Sequence, residues 1–359
     1  MGVPAAKLKQ IKRTQLRDSD GFLQSRAYMN FLAQTHPELR LKRKGTFPSY
    51  VAQLPFYEPL RPGRLRQILR GCAHRWPHWF APSTLYIGSP FEPYEQSSQL
   101  GGDIDQGLGD LVHRAQKEGC GLMVLTNVSP SDAALQTWRQ QGFKAMPSLP
   151  DMVLTLPGAH FEDYLNSRKS KARNSIARNS RKFEEAGFEV CRFKGQELRA
   201  LSHHLVRSYH QMYARANIKW LRHTAAYFEH LCDFEEDVFV DIAVNASGHL
   251  MGFIVSFDDG DRLHGGRIGV IPRQHQKNAV YFRLIYRLIE RAYDLKKLEV
   301  VLEPTSFKMK RYLGAEYRPL VNLIRGTNVF WRTVCFLGGG LGRYWLRYLE
   351  RRDQLEEYY

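Results

Sequence analysis

The sequence predicts an α/β protein built from two units. Three observations carry this: the length of 359 residues, the alternation of helical and strand patterns over the first 150, and a different order after them. That second order runs basic helix, strand, two helices, three strands, helix, strand. A chain this long suits two domains, each with its own core. A hydrophobic fraction of 43% and a charged fraction of 25% are ordinary for globular proteins and argue against dominant disorder.

Charge narrows the partners. With 52 Lys and Arg against 36 Asp and Glu, the formal net charge is +16. That excess favours anionic partners: nucleic acid, phosphorylated cofactors, acidic carriers or anionic lipid. The five cysteines are scattered, none at CxxC spacing, so neither a disulfide framework nor a structural zinc site is expected. The start, MGVPAAKLKQIKRTQLRDSD, lacks an apolar core for a signal peptide, and Ala6 breaks the myristoylation pattern. No run of about 18 apolar residues occurs. The expected location is the cytoplasm, with peripheral membrane contact open.

Element by element, residues 1–45 are basic with a short helix around GFLQSRAYMNFLAQTHPEL. Residues 46–90 mix aromatics and prolines and read as irregular structure with short strands. STLYIGSPF reads as a strand. IDQGLGDLVHRAQKEG has helical spacing and stops at Gly119, and CGLMVLTNV is a central strand. SPSDAALQTWRQQGF reads as a helix capped by Ser129 or Ser131 and closed by Gly142, and DMVLTL as a strand.

The stretch SRKSKARNSIARNSRKFEEAG, residues 167–187, holds seven Lys and Arg before its first acid, Glu184. Leu165, Ala172, Ile176 and Phe183 form a narrow apolar stripe, so it reads as one helix docked by an edge and stopped at Gly187. FEVCRF follows as a strand. LRALSHHLVRSYHQMYARANI and TAAYFEHLCDF read as helices. VFVDIAV, LMGFIVSF and LHGGRIGVI read as hairpin-linked strands. NAVYFRLIYRLIERAYDL is an amphipathic helix, KLEVVLE a strand, and residues 329–350 look helical around GGGLG.

Three motifs in order carry a resemblance. KARNSIARNSRKFEEAGFEV resembles the Lys-x-Arg-x-x-Ile helix of Fem-type aminoacyltransferases and of BioF2-like acetyltransferases, both within the GNAT superfamily. SFKMKRYLGAE resembles the aromatic-Lys-x-Lys…Gly segment that closes the Fem-type catalytic domain. NAVYFRLIYRLIERAYDLKKLEVVLE between them resembles the GNAT cofactor helix and its following strand. The resemblance covers roughly residues 150–325, and residues 1–150 by topology only.

It implies tandem GNAT-like domains with mixed central sheets flanked by helices: 1–150 degenerate, 151–328 catalytic, 329–359 a helical extension. It implies an acyltransferase moving an acyl or aminoacyl group to an amine, without metal or tightly bound cofactor. The donor would be acyl-CoA, an acyl carrier protein or aminoacyl-tRNA. A non-catalytic GNAT-derived module binding RNA or an anionic membrane is the alternative.

Residue by residue, the resemblance puts Lys308 and Lys310 at the transfer site, where a cation stabilises developing oxyanion charge. Phe307 would line the donor channel. Phe253, Ile254 and Val255 would offer backbone N–H groups to the donor carbonyl where two parallel strands splay. His264 and Glu303 are candidate general bases. Tyr213 and Trp220 lie where acceptor specificity is set, and Asp258 and Asp259 read as turn residues. The family's pyrophosphate loop, Arg/Gln-x-x-Gly-x-Gly/Ala, falls on His275, Gln276, Lys277, Asn278, Ala279 and Val280. Asn278 and Val280 stand where small residues let backbone N–H groups approach phosphate. That departure predicts weak binding of free acetyl coenzyme A and fits a donor on tRNA or a carrier protein. Lys171, Arg173 and Arg178 are the expected contacts to the anionic partner; the other reading is a solvated charged face.

Overall fold

The computed structural model describes residues 21–42, 49–53, 64–76, 79, 82–89, 94–96, 104–215, 222–271, 278–302, 304 and 306–335. The basic start of the chain therefore lies outside the described residues, as does everything after 335.

The first α-helix among the described residues is α1 (Arg26–Thr35), whose N-cap Ser25 accepts the Tyr28 backbone N–H. Strands β1 (Arg40–Lys42) and β2 (Ser49–Gln53) follow, then helix α2 (Arg64–Arg75) and strand β3 (Ser83–Ile87). Helix α3 (Ile104–Lys117) leads through left-handed Gly119 into β4 (Leu122–Val128). Helix α4 (Leu135–Gln140) starts later than expected. Ser129 and Ser131 bond to each other rather than capping it, and Asp132 takes the Ala134 N–H. Strand β5 (Lys144–Pro147) completes this stretch.

The second stretch runs β6 (Asp151–Thr155), α5 (Phe161–Ser167), α6 (Ser170–Glu185), β7 (Glu189–Phe193), α7 (Gly195–Arg215) and α8 (Ala225–His230). Then come β8 (Val238–Val244), β9 (Leu250–Asp259), β10 (Arg262–Val270), α9 (Val280–Asp294), β11 (Glu299–Leu302), α10 (Phe307–Tyr312), β12 (Glu316–Arg318) and β13 (Val321–Gly326).

Two mixed sheets result. The first has order β1-β2-β3-β4-β13-β5, with only β3 and β4 parallel; the second has order β12-β6-β11-β10-β9-β8-β7, with only β10 and β11 parallel. One strand crosses the expected division. Strand β13 falls inside the expected 151–328 unit, yet it pairs with β4 and β5 in the first sheet. The units also share a core. One apolar cluster joins Tyr28, Phe31 and Tyr50 of the first stretch to Tyr227, Phe228, Phe253 and Phe257 of the second. A second cluster lies under α5, α6, α9 and α10, and a third under α3 and α4.

The basic stretch forms one helix, α6, but Leu165 before it belongs to another. The chain breaks at Arg168 and Lys169, both extended, so Leu165 sits on α5 and the stripe on α6 is Ala172, Ile176, Asn179 and Phe183. Gly187, at φ 70°, ends α6 as expected. Strand β8 is tied to α9 by a buried bidentate pair. Arg291 donates to Asp241 from Nε at 2.8 Å and from a terminal nitrogen at 2.5 Å.

Candidate active site

Strands β10 and β11 pair only from Arg262 to His264, against Glu299 to Val301, while β10 runs on to Val270. A parallel pair that stops early leaves a wedge between the strands. At its apex Tyr94 Oη donates to the Gly265 carbonyl at 2.8 Å. Here β10 also carries a bulge against β9: Gly265 faces Ser256, Ile268 faces Ile254, and Gly266 with Arg267 share what lies between. An extra residue in one strand re-aims the following side chain. Glycine suits Gly266 because a Cβ there would meet the Phe257 ring.

The splayed strand is thus β10. Phe253, Ile254 and Val255 lie on β9, between β8 and β10, fully buried.

Arg267 is buried, and its Nε donates to His223 Nε2. His223 Nδ1 lies 3.1 Å from His36 Nε2, and His36 Nδ1 lies 3.2 Å from the Leu32 carbonyl. A guanidinium can only donate, so His223 carries its proton on Nδ1 and His36 on Nδ1 in turn. The chain of donors runs from the bulge to the C-terminal turn of α1. Burial holds His36 down to about 4, against the Leu32 carbonyl and helped by the Arg267 charge. Burial likewise pushes His223 well down, with Arg267 adding to it. Both rings are neutral, and the cation is Arg267.

His264 lies at the apex but buried, with Tyr94 edge-on at 4.5 Å between ring centres and Asp259 Oδ2 at 3.4 Å from Nε2. Asp259 is more than a turn residue, since it also takes the Leu23 backbone N–H. Burial raises its carboxyl, but His264 and the Leu23 and Phe22 N–H groups more than offset this, leaving it below its ordinary value. Asp258 pairs with Lys297 at 2.5 Å. Nearby Asp151 is buried and takes the Glu95 N–H; burial pushes its carboxyl up to about 7.

On the opposite sheet face α6, α9 and α10 converge. Asn179 Nδ2 donates to Tyr286 Oη at 3.1 Å, and Tyr312 Oη donates to the Lys171 carbonyl at 2.8 Å. The structure therefore brings the Lys-x-Lys segment against the start of the basic helix. Lys308 is exposed on α10, Lys310 is buried, and Phe307 is a core ring against Tyr317 at 5.4 Å, not a channel wall. Lys171 and Arg178 are exposed. Arg173 is exposed but donates to the Arg168 carbonyl at 2.7 Å, so it also staples the helix start.

His275, Gln276, Lys277, Glu303 and Trp220 lie outside the described residues. Asn278 is half-buried, and the left-handed residue before α9 is Ala279, at φ 56°. Val280 points down onto β9: a Cβ on Gly252 would come within 2.9 Å of its Cγ1. Its bulk therefore fills core, not the phosphate approach. Tyr213 packs on the core beside Tyr209. Sequence reasoning missed Arg267, His223, His36 and Tyr94. A signal existed for Arg267, because paired glycines inside a strand mark a bulge.

Among the described residues no group of three or more His, Cys, Asp or Glu could hold a metal ion, and no helix is long and apolar enough to cross a membrane. All five thiols are free.

Residues 170–304 match the family model of the acetyltransferase (GNAT) domain. No curated protein matches the chain. Among solved structures, FemX matches with TM-score 0.53 at 11% identity, over 89% of this chain and 96% of that one. L-PGS from Bacillus licheniformis matches with TM-score 0.52 at 10% identity, over 87% and 96%. The C-terminal domain of a putative lysylphosphatidylglycerol synthetase from Agrobacterium fabrum matches with TM-score 0.52 at 8% identity, over 86% and 89%. At these identities the likeness is one of fold: two GNAT-like sheets in tandem, with an acetyltransferase-type domain in the second.

Proposed function

We propose that this protein transfers an acyl or aminoacyl group from an anionic macromolecular carrier, a charged tRNA or an acyl carrier protein, to an amine. The observation that carries the reading is the wedge between β10 and β11, with its bulge at Gly266 and Arg267. A carbonyl entering the wedge meets strand backbone that has left its ladder, and backbone donors stabilise the oxyanion as the amine attacks. Placing ester and amine together supplies the rest, with no covalent enzyme intermediate.

The two sheet faces divide the work. The carrier lies along the exposed cations Lys171, Arg178, Arg181 and Lys182 of α6, beside α10 and Lys308. Lys310, buried in the same segment, holds the transferred group. The acceptor approaches from the other face, where Arg267 is fixed by His223. With Val280 turned into the core, the basic face of α6, not a blocked phosphate loop, is what favours a carrier over free coenzyme A.

The test offers radiolabelled aminoacyl-tRNA, acylated carrier protein and acyl coenzyme A in turn, with a mixture of amines. Label should move to an amine from one of the two carriers, and that carrier should raise the melting temperature. In Lys171→Gln/Arg178→Gln, each lost phosphate contact should cut the slope of log affinity against log salt by about 0.7 to 0.9 for tRNA. Efficient use of acyl coenzyme A alone would refute the carrier, and binding without transfer would mark a non-catalytic module.

A further inference from the structure

Helix α2 has no acidic residue, and among its described side chains only Ala73 is buried. Helices this short are marginal in water and owe their stability to a packed apolar face. Here Leu69 and Cys72 are only half-buried, and part of the apolar surface is turned outward. Ile68 is 61% exposed, and Trp76 and Trp79 just beyond the helix are each 56% exposed. At helical spacing Arg64, Ile68, Cys72 and Arg75 follow one line along it.

The surface continues onto residues 329–334. Trp79 meets Phe330 edge-on at 4.5 Å, and Phe330 meets Trp331 at 5.1 Å. Val329 and Val334 are exposed beside them. The segment is pinned to the first sheet: Thr327 Oγ1 donates to the Cys120 carbonyl at 2.6 Å, and Trp331 packs over Gly121. The apolar patch carries exposed Arg64 and Arg75 on α2 and exposed Arg332 on the second segment.

We propose that α2 and residues 329–334 form a membrane-docking face, which seats Ile68, Trp76, Trp79, Val329 and Phe330 at the headgroup boundary of an anionic bilayer. The chemistry selects this partner. Indole rings favour the interface, where one edge is apolar and the other wet. Aliphatic Ile68 and Val329 give no stacking surface for nucleic acid but insert readily between acyl chains. Arginines in the same line pair with anionic headgroups and gain about fivefold in affinity each. A second copy of the chain would instead set these arginines against their own kind across a twofold axis. The face lies on the first sheet, whereas the wedge is in the second, so docking stands apart from the transfer reading.

Co-sedimentation of the full chain with vesicles tests it. The protein should pellet with phosphatidylcholine–phosphatidylglycerol vesicles, less so as salt rises, and stay in solution with phosphatidylcholine alone. Ile68→Gln/Trp76→Gln should weaken binding roughly tenfold or more. Both side chains are exposed, so the melting temperature should hold. Arg64→Gln/Arg75→Gln should weaken binding about 25-fold. Absence of binding to anionic vesicles, or equal binding by wild type and both variants, overturns the proposal. So does a lipid-free dimer by light scattering that Ile68→Gln/Trp76→Gln converts to monomer.

Discussion

His36 and Asp151 respond to acid in opposite directions, and the difference can be worked out from the structure. His36 stands at about 4 in the folded chain against an ordinary value of 6.5, chiefly through burial. Between those values the unfolded chain binds a proton that the folded chain refuses. The histidine's contribution is therefore complete above pH 6.5 and is lost as pH falls toward 4. From pH 7.5 to pH 5 the loss is about 2 kcal/mol. His223 has the same sign. Asp151 is raised to about 7 from an ordinary 3.8, again chiefly by burial. It keeps its proton in the folded chain, so the same acidification favours folding by about 2.5 kcal/mol. In wild type the aspartate thus offsets part of what the histidines lose in acid. Urea unfolding from pH 5 to pH 7.5 on three proteins separates them. Asp151→Asn should steepen the loss of stability in acid by about 2.5 kcal/mol, and His36→Gln should remove about 2 kcal/mol of it. Three parallel curves would refute the reasoning and with it the neutral donor chain from Arg267 to His36.

Two further outcomes follow from buried charge. Lys310→Met, which keeps the packing, should lower single-turnover transfer by roughly 100-fold, whereas exposed Lys308→Ala should change it far less; near-normal turnover in Lys310→Met would remove the lysine from the reaction. Asp241→Ala strands Arg291 in the core and should cost about 3–5 kcal/mol by urea denaturation, while replacing both residues with apolar ones of similar size should recover most of it.

Local signals carried much of the fold. Apolar periodicity and glycine stops located α3, α9 and the hairpins through β8, β9 and β10, because those features lie within a few residues. Errors arose where a decision depends on distant partners. The stripe through Leu165 and Ala172 looked continuous, since no proline or glycine marks the break at Arg168; Arg168 bonds instead to the Leu313 carbonyl, far along the chain. Strand β13 joins the first sheet by pairing with β4, and nothing within Val321–Gly326 says which sheet will accept it. Helix α2 lies within residues 46–90, whose aromatics and prolines read as irregular structure. Val280 matched a loop pattern by position, but a position does not give direction, and its side chain turned out to face Gly252. The proposed transfer site depends most on register. Only when β9 and β10 are aligned does the extra residue at the bulge bring Arg267 to His223, and His223 to His36 on α1. Family motifs could name Lys308 and Lys310, but a residue whose role comes from a one-residue shift in pairing becomes legible only with its partner strand in place.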